Sequence, residues 1–134
     1  MDYKCLIEPD VAFYKARFLP TFFAFFLDKN TSFLTALNGF ILTKELPVLE
    51  CQFREMGIPT SRVFKILETF DYNPKKITAH LKSLNVNALN VVQRNFPFTT
   101  QQIRTALKVK EGGELFLICT LLEGKKVAWL AERH

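Results

Sequence analysis

Between Phe98 and Ile103 the chain reads Phe-Thr-Thr-Gln-Gln-Ile, and this run dictates where a helix must begin. Thr99 and Gln102 have the spacing of a capping box, in which each side chain satisfies a backbone N–H left free at the helix start. Phe98 and Ile103 hold the two positions of a hydrophobic staple. The helix that follows is expected to bury Ile103, Ala106 and Leu107, and Gly112-Gly113 to release the chain into a loop. A strand rich in Val and Leu, Leu89 to Arg94, leads into it. Upstream, Arg62 to Glu68 has the β-branched and aromatic content of a strand. Asn73-Pro74 supplies the cap and first residue of another helix, with Ile77, Leu81 and Leu84 at i, i+4 and i+7 and Asn85 to close it in the left-handed conformation. Leu115 to Leu122 and Lys126 to Glu132 make a closing hairpin around Glu123-Gly124. The second half therefore predicts β-α-β-α-β-β, an open sheet with helices on one face.

The first half is less regular. Tyr3 to Ile7 reads as a strand ended by a turn at Glu8-Pro9-Asp10. Asp10 can cap a helix carrying Val11, Phe13, Tyr14, Ala16 and Phe18. Pro20 suits the first turn of a second helix, Thr21 to Leu27, which is apolar nearly all round and so belongs between layers. Ser32 to Leu37 and Phe40 to Thr43 are extended and joined by Asn38-Gly39, the pair that supplies positive φ at both centres of a type I′ turn. Leu46 to Gly57 reads as a loop with one helical turn, and Gly57-Ile58-Pro59-Thr60-Ser61 as the junction between halves. The fold class is α+β, with one domain over residues 1–61 and another over 62–134. A chain of 134 residues with 14 Phe and 49% apolar content carries enough core to fold.

Charge is divided unevenly. Met1 to Ser61 holds six Lys/Arg against seven Asp/Glu, whereas Arg62 to His134 holds twelve against six. The basic excess lies wholly in the second half and suits a polyanion or an acidic neighbouring surface. Cys5, Cys51 and Cys119 are far apart, embedded among apolar residues and without a CxxC or Cys/His cluster. They imply buried reduced thiols in a cytoplasmic protein rather than a zinc site or a disulfide framework. The run Phe18 to Leu27 is about half the ~20 residues a membrane span requires. The N-terminus, with Asp2, Glu8 and Asp10, lacks the basic start of a signal peptide.

No catalytic constellation is visible. GxGxxG, P-loop and HExxH patterns are missing, and the Gly pair follows a helix instead of preceding one. His80 stands mid-helix with no Ser, Cys or Asp at an orienting spacing, so a helix-surface histidine is the plainer reading. What remains is a basic array. Arg104 and Lys108 are i, i+4 on the capped helix, Lys110 follows in the loop, Lys125-Lys126 starts the last strand, and Arg94 ends the strand before the helix, beside Asn95. Gathered on one face, these cations would neutralise phosphates, with Asn95, Gln101 and Gln102 donating hydrogen bonds. Scattered, they would be an ordinary solvated surface.

The same residues carry a resemblance. Arg94-Asn95-Phe96-Pro97-Phe98-Thr99, Gln102-Ile103-Arg104, Leu107-Lys108-Val109-Lys110-Glu111-Gly112-Gly113 and Leu122-Glu123-Gly124-Lys125-Lys126-Val127 resemble the C-terminal THUMP-like domain of a Bacteroidetes group of class I S-adenosylmethionine-dependent methyltransferase-like proteins. Ile7-Glu8-Pro9-Asp10 and Tyr14-Lys15-Ala16 are similar to the ferredoxin-like domain that precedes it there. The resemblance implies a Rossmann-like catalytic domain elsewhere in the polypeptide. S-adenosylmethionine would bind to that domain and not to this chain, which would then be an excised C-terminal piece or a truncated gene product. It further implies RNA methylation, on tRNA or rRNA, in the parent protein, with this part holding substrate through Arg94, Asn95, Arg104, Lys108, Lys110, Lys125 and Lys126. The second reading, from another class, is a structural module that docks on a catalytic domain or forms a homodimer, since halves of this size bury little core alone.

Overall fold

The structure, a computed structural model, describes residues 4–9, 34–37, 40–43 and 60–133. Its contacts divide into two units, Met1–Lys65 with His134, and Ile66–Arg133.

The first unit contains β1 (Cys5–Pro9), β2 (Leu34–Leu37), β3 (Phe40–Thr43) and the start of β4 (Thr60–Asp71), adjacent in the order β2-β3-β1-β4. The described neighbours all pair antiparallel. Leu37 pairs with Phe40, which leaves the two-residue connection expected at Asn38-Gly39. Leu42, Leu6 and Phe64 stand opposite one another across three strands, and all three are fully buried. β1 extends past its expected end at Ile7. The ladder shifts register between Glu8 and Pro9, where proline has no N–H to donate. The helices expected over residues 11–27 and the turn over 46–57 lie outside the described residues.

The second unit continues β4 and adds helix α1 (Pro74–Ser83), β5 (Ala88–Arg94), helix α2 (Thr100–Leu107), β6 (Lys110–Leu122) and β7 (Lys125–Arg133). This is the expected β-α-β-α-β-β order, and the class is α+β. The strands lie in the order β4-β7-β6-β5. β5 and β6 pair in parallel across the α2 crossover, and β6 and β7 pair antiparallel. Asn73 caps α1 by accepting from the N–H groups of Lys75 and Lys76 at 3.1 and 3.3 Å, and Pro74 stands at the first helical position. Asn85 closes the helix with φ 60°. The capping box of α2 is complete: Gln102 N–H donates to Thr99 Oγ1 at 3.1 Å, and Thr99 N–H donates to Gln102 Oε1 at 2.9 Å.

Both helices cover one face of this sheet. Ile77, Leu81, Ile103 and Leu107 form one buried cluster with Leu89, Leu117, Cys119, Ala128 and Leu130, the alternate strand residues that point toward them. The intervening Ile118, Thr120, Val127, Trp129 and Ala131 are buried as well, so the two central strands are buried on both faces.

Three expectations need correction. Leu84 is 49% exposed because it is the C-cap, where the backbone leaves helical geometry and carries the side chain off the stripe. Ala106 is exposed, since the stripe of α2 is centred on Ile103 and Leu107 and leaves it on the flank facing α1. Gly112-Gly113 does not end in a loop. β6 begins at Lys110, and the glycines lie within a bulge where Leu89 pairs with Glu111 but Asn90 with Phe116. Asn90 Nδ2 ties that bulge by donating to the carbonyls of Gly113 and Leu115 at 2.9 and 3.2 Å.

Candidate nucleic-acid interface

Two adjoining clefts open along α1 and α2. The first, about 460 Å³, is lined by Tyr72, Pro74, Phe98, Gln102, Ala106 and Lys126. The second, about 300 Å³, is lined by Pro74, Lys75, Thr78, Ala79, Lys82, Ala106 and Lys108. They share Pro74 and Ala106, so they form one groove, and the short Ala side chains on both helices keep its floor low. Neither set of lining residues includes a carboxylate.

Local sequence explains the first cleft. Tyr72 follows β4, and its backbone N–H donates to the Lys126 carbonyl at 2.9 Å, which brings the start of β7 beside the start of α1. The Phe96-Pro97-Phe98 segment before α2 then folds against Tyr72. Tyr72 and Phe96 meet edge to face at 5.0 Å, Phe96 and Phe98 at 5.8 Å, and Phe98 lies tilted to Tyr72 at 5.9 Å. Lys126 Nζ stands 5.4 Å from the centroid of the Phe98 ring. Burial raises the Tyr72 hydroxyl above its ordinary value, and the nearby Cys119 raises it further. Burial alone pushes the Cys119 thiol up to about 12.

The second cleft holds cations where helix physics disfavours them. Lys75 lies in the first turn of α1, at the positive end of the helix, and no acidic residue accompanies it there. Lys108 caps α2 with φ 57°, a left-handed conformation that glycine adopts with far less strain.

Of the residues singled out from sequence, the structure brings Lys108, Lys126 and Gln102 onto this groove. Arg94 lies at the end of β5 with Asn95 just beyond it, and Lys125 pairs with Leu122 at the hairpin end of β6. These positions are at the same end of the sheet as Lys126, but Arg94, paired with Thr120, and Lys125, two residues before Val127, have the register of the face away from the helices. Lys110 sits at the opposite end of β6, where it pairs with Ala88, so it is not in a loop and not beside Lys125. The Arg104 guanidinium donates to Gln101 Oε1 at 3.3 Å and lines neither cleft. Lys75, Lys82, Tyr72 and Phe98 were not among the residues expected to make the site. Lys75 and Lys82 stand i, i+7 on α1, a legible signal, but their pairing with Lys108 exists only once the helices pack. His80 is half-buried with its ring edge-on to Phe70 at 5.3 Å, away from the groove. Among the described residues no three His, Cys, Asp or Glu side chains gather as metal ligands, and no helix is long and apolar enough to cross a membrane.

A solved structure from Porphyromonas gingivalis, described as a candidate methyltransferase, superposes with a TM-score of 0.66 at 25% identity over 97% of this chain. This chain spans only 29% of that protein's length. A Pyrococcus horikoshii protein overlaps with a TM-score of 0.46 at 8% identity, over 98% of this chain and 55% of its own. No curated protein matches the sequence. Residues 61–133, more than half of the chain and the whole of the β-α-β-α-β-β unit, match the family described as THUMP domain-like, and the chain belongs to that family.

Proposed function

We propose that this chain is a non-catalytic, RNA-holding module of a cytoplasmic methyltransferase, and that the α1–α2 groove is the surface that takes RNA phosphates. One observation carries the reading. Lys75 and Lys108 occupy a helix N-terminus and a left-handed helix cap, positions where stability alone favours an acid and a glycine. Residues that stand against local preference are expected at functional sites. Lys82 and Lys126 extend the cationic lining, and no lining carboxylate opposes it. The P. gingivalis likeness supports a methyltransferase as the parent. On this reading the S-adenosylmethionine site lies in a separate catalytic domain, and this module positions a tRNA or rRNA for it. Arg94, Asn95 and Lys125 stand at one end of the sheet outside the groove's lining, and Arg94, Lys125, Arg104 and Lys110 contribute only to the general field.

The test is fluorescence anisotropy with the full chain and a labelled tRNA at several salt concentrations. Binding should weaken steeply as salt rises, and Lys108→Glu should weaken it at low salt and lower the log–log salt slope by about 1. If Lys110→Glu has the larger effect, the groove is not the phosphate track. If no RNA binds at low salt, the reading fails.

A further inference from the structure

We infer that the cleft at Phe98 is a stacking site for one unpaired nucleobase, so the nucleic acid on this face is single-stranded where it crosses the start of α2. The inference rests on the phosphate reading above and adds what sits beside the phosphates. Phe98 is 36% exposed, a large apolar ring left at the surface. It is nevertheless held, because Phe96 and Tyr72 brace it at 5.8 and 5.9 Å and each other at 5.0 Å. A fixed, exposed ring offers a stacking platform whose ordering entropy is already spent on folding.

The rest of the cleft suits a base and its neighbours. Lys126 Nζ, 5.4 Å from the Phe98 centroid, is on an exposed side chain and can swing to a flanking phosphate when a base takes the ring. Gln102 Oε1 accepts from the Thr99 N–H, which orients the carboxamide and leaves its NH₂ to donate to a base edge. The volume of about 460 Å³ lies within the roughly 300–1,000 Å³ range of small-ligand pockets. Pro74 and Ala106 connect the cleft to the lysines of the second one, so a strand with its base at Phe98 would run its backbone past Lys75, Lys82 and Lys108. A duplex keeps its bases stacked on one another and could use the lysines but not the ring.

The experiment compares three probes on the full chain: octauridylate, a base-free ribose-phosphate octamer, and an eight-base-pair RNA duplex. The wild type should bind octauridylate about 5- to 150-fold more tightly than the base-free octamer, the factor equivalent to ~1–3 kcal/mol of base–aromatic stacking. Phe98→Leu should abolish that difference, whereas Phe98→Trp should keep it. Lys126→Gln should weaken binding of all three probes. Thermal melts of each variant separate lost binding from lost folding, and Phe98→Trp keeps the test open should Phe98→Leu unfold. Equal affinity for octauridylate and the base-free octamer, or equal loss on both in Phe98→Leu, overturns the stacking site while the phosphate track stands. No binding of any probe at low salt removes both.

Discussion

Cys119 shows what burial does to a single residue. Its thiol is enclosed among Leu117, Ala128 and the helix cluster, and burial pushes it up to about 12 from an ordinary value of 9.0. A folded-state value above the unfolded one means that the folded protein keeps a proton the unfolded chain surrenders. The associated stability is complete below pH 9 and is lost as pH climbs from there toward 12. Tyr72, shifted in the same direction, adds to the alkaline loss. Urea melts should therefore show stability falling above pH 9, with a smaller fall in Cys119→Ala. An identical pH profile in the variant would show that the thiol takes no part. In native protein at pH 8, Cys119 should resist alkylation, as a peptide map would reveal. The buried character of Cys119 was legible from its apolar neighbours, but its closeness to Tyr72, 47 residues away in sequence, was not.

At the level of elements, the helix starts were the most legible features, because caps are local chemistry. Thr99-Gln102 and Asn73-Pro74 make the bonds their spacing predicts. What spacing could not give was the relation between α1 and α2, and with it the groove. Ala106 and Leu84 satisfied the helical period yet are exposed, and the Gly112-Gly113 breaker turned out to be a strand bulge held by Asn90. Binding and stability should oppose each other on these helices. Lys75→Glu places a carboxylate at the positive end of α1 and should stabilise by about 0.3–1 kcal/mol. Lys108→Gly relieves the left-handed cap and should stabilise by up to about 1 kcal/mol. Both should weaken RNA binding, whereas Thr99→Ala should cost about 1 kcal/mol of stability without lowering the affinity of the folded protein. Chemical denaturation and anisotropy on the same samples distinguish these outcomes, and a Lys75→Glu variant that is less stable would refute the dipole argument.

Over the whole second unit, stability depends on the middle of its sheet. Trp129 is fully buried on β7, on the face away from the helices, and Val127 and Ala131 beside it are buried too. Trp129→Ala should cost about 3–5 kcal/mol, a large part of the ~5–15 kcal/mol that holds a domain folded. Urea unfolding followed by circular dichroism should show a much lower midpoint, and a loss below 1 kcal/mol would mean that the site repacks freely. The α+β class and the β-α-β-α-β-β order were readable because each helix carries its cap and apolar stripe, and each strand is a run of apolar and β-branched residues between turn signals. The order of the strands in space was not, because a hydrophobic pattern names faces and not neighbours.

That order has a consequence for biosynthesis. β7, the latest strand in the chain, lies between β4 and β6. As the polypeptide leaves the ribosome, the edge of β4 that takes β7 must wait open while α1, β5, α2 and β6 emerge, and it is filled only when Lys125–Arg133 clears the exit tunnel. The nascent chain therefore carries an unsatisfied strand edge through most of this unit's synthesis, the kind of surface that chaperones bind and that invites aggregation when translation stalls before residue 125.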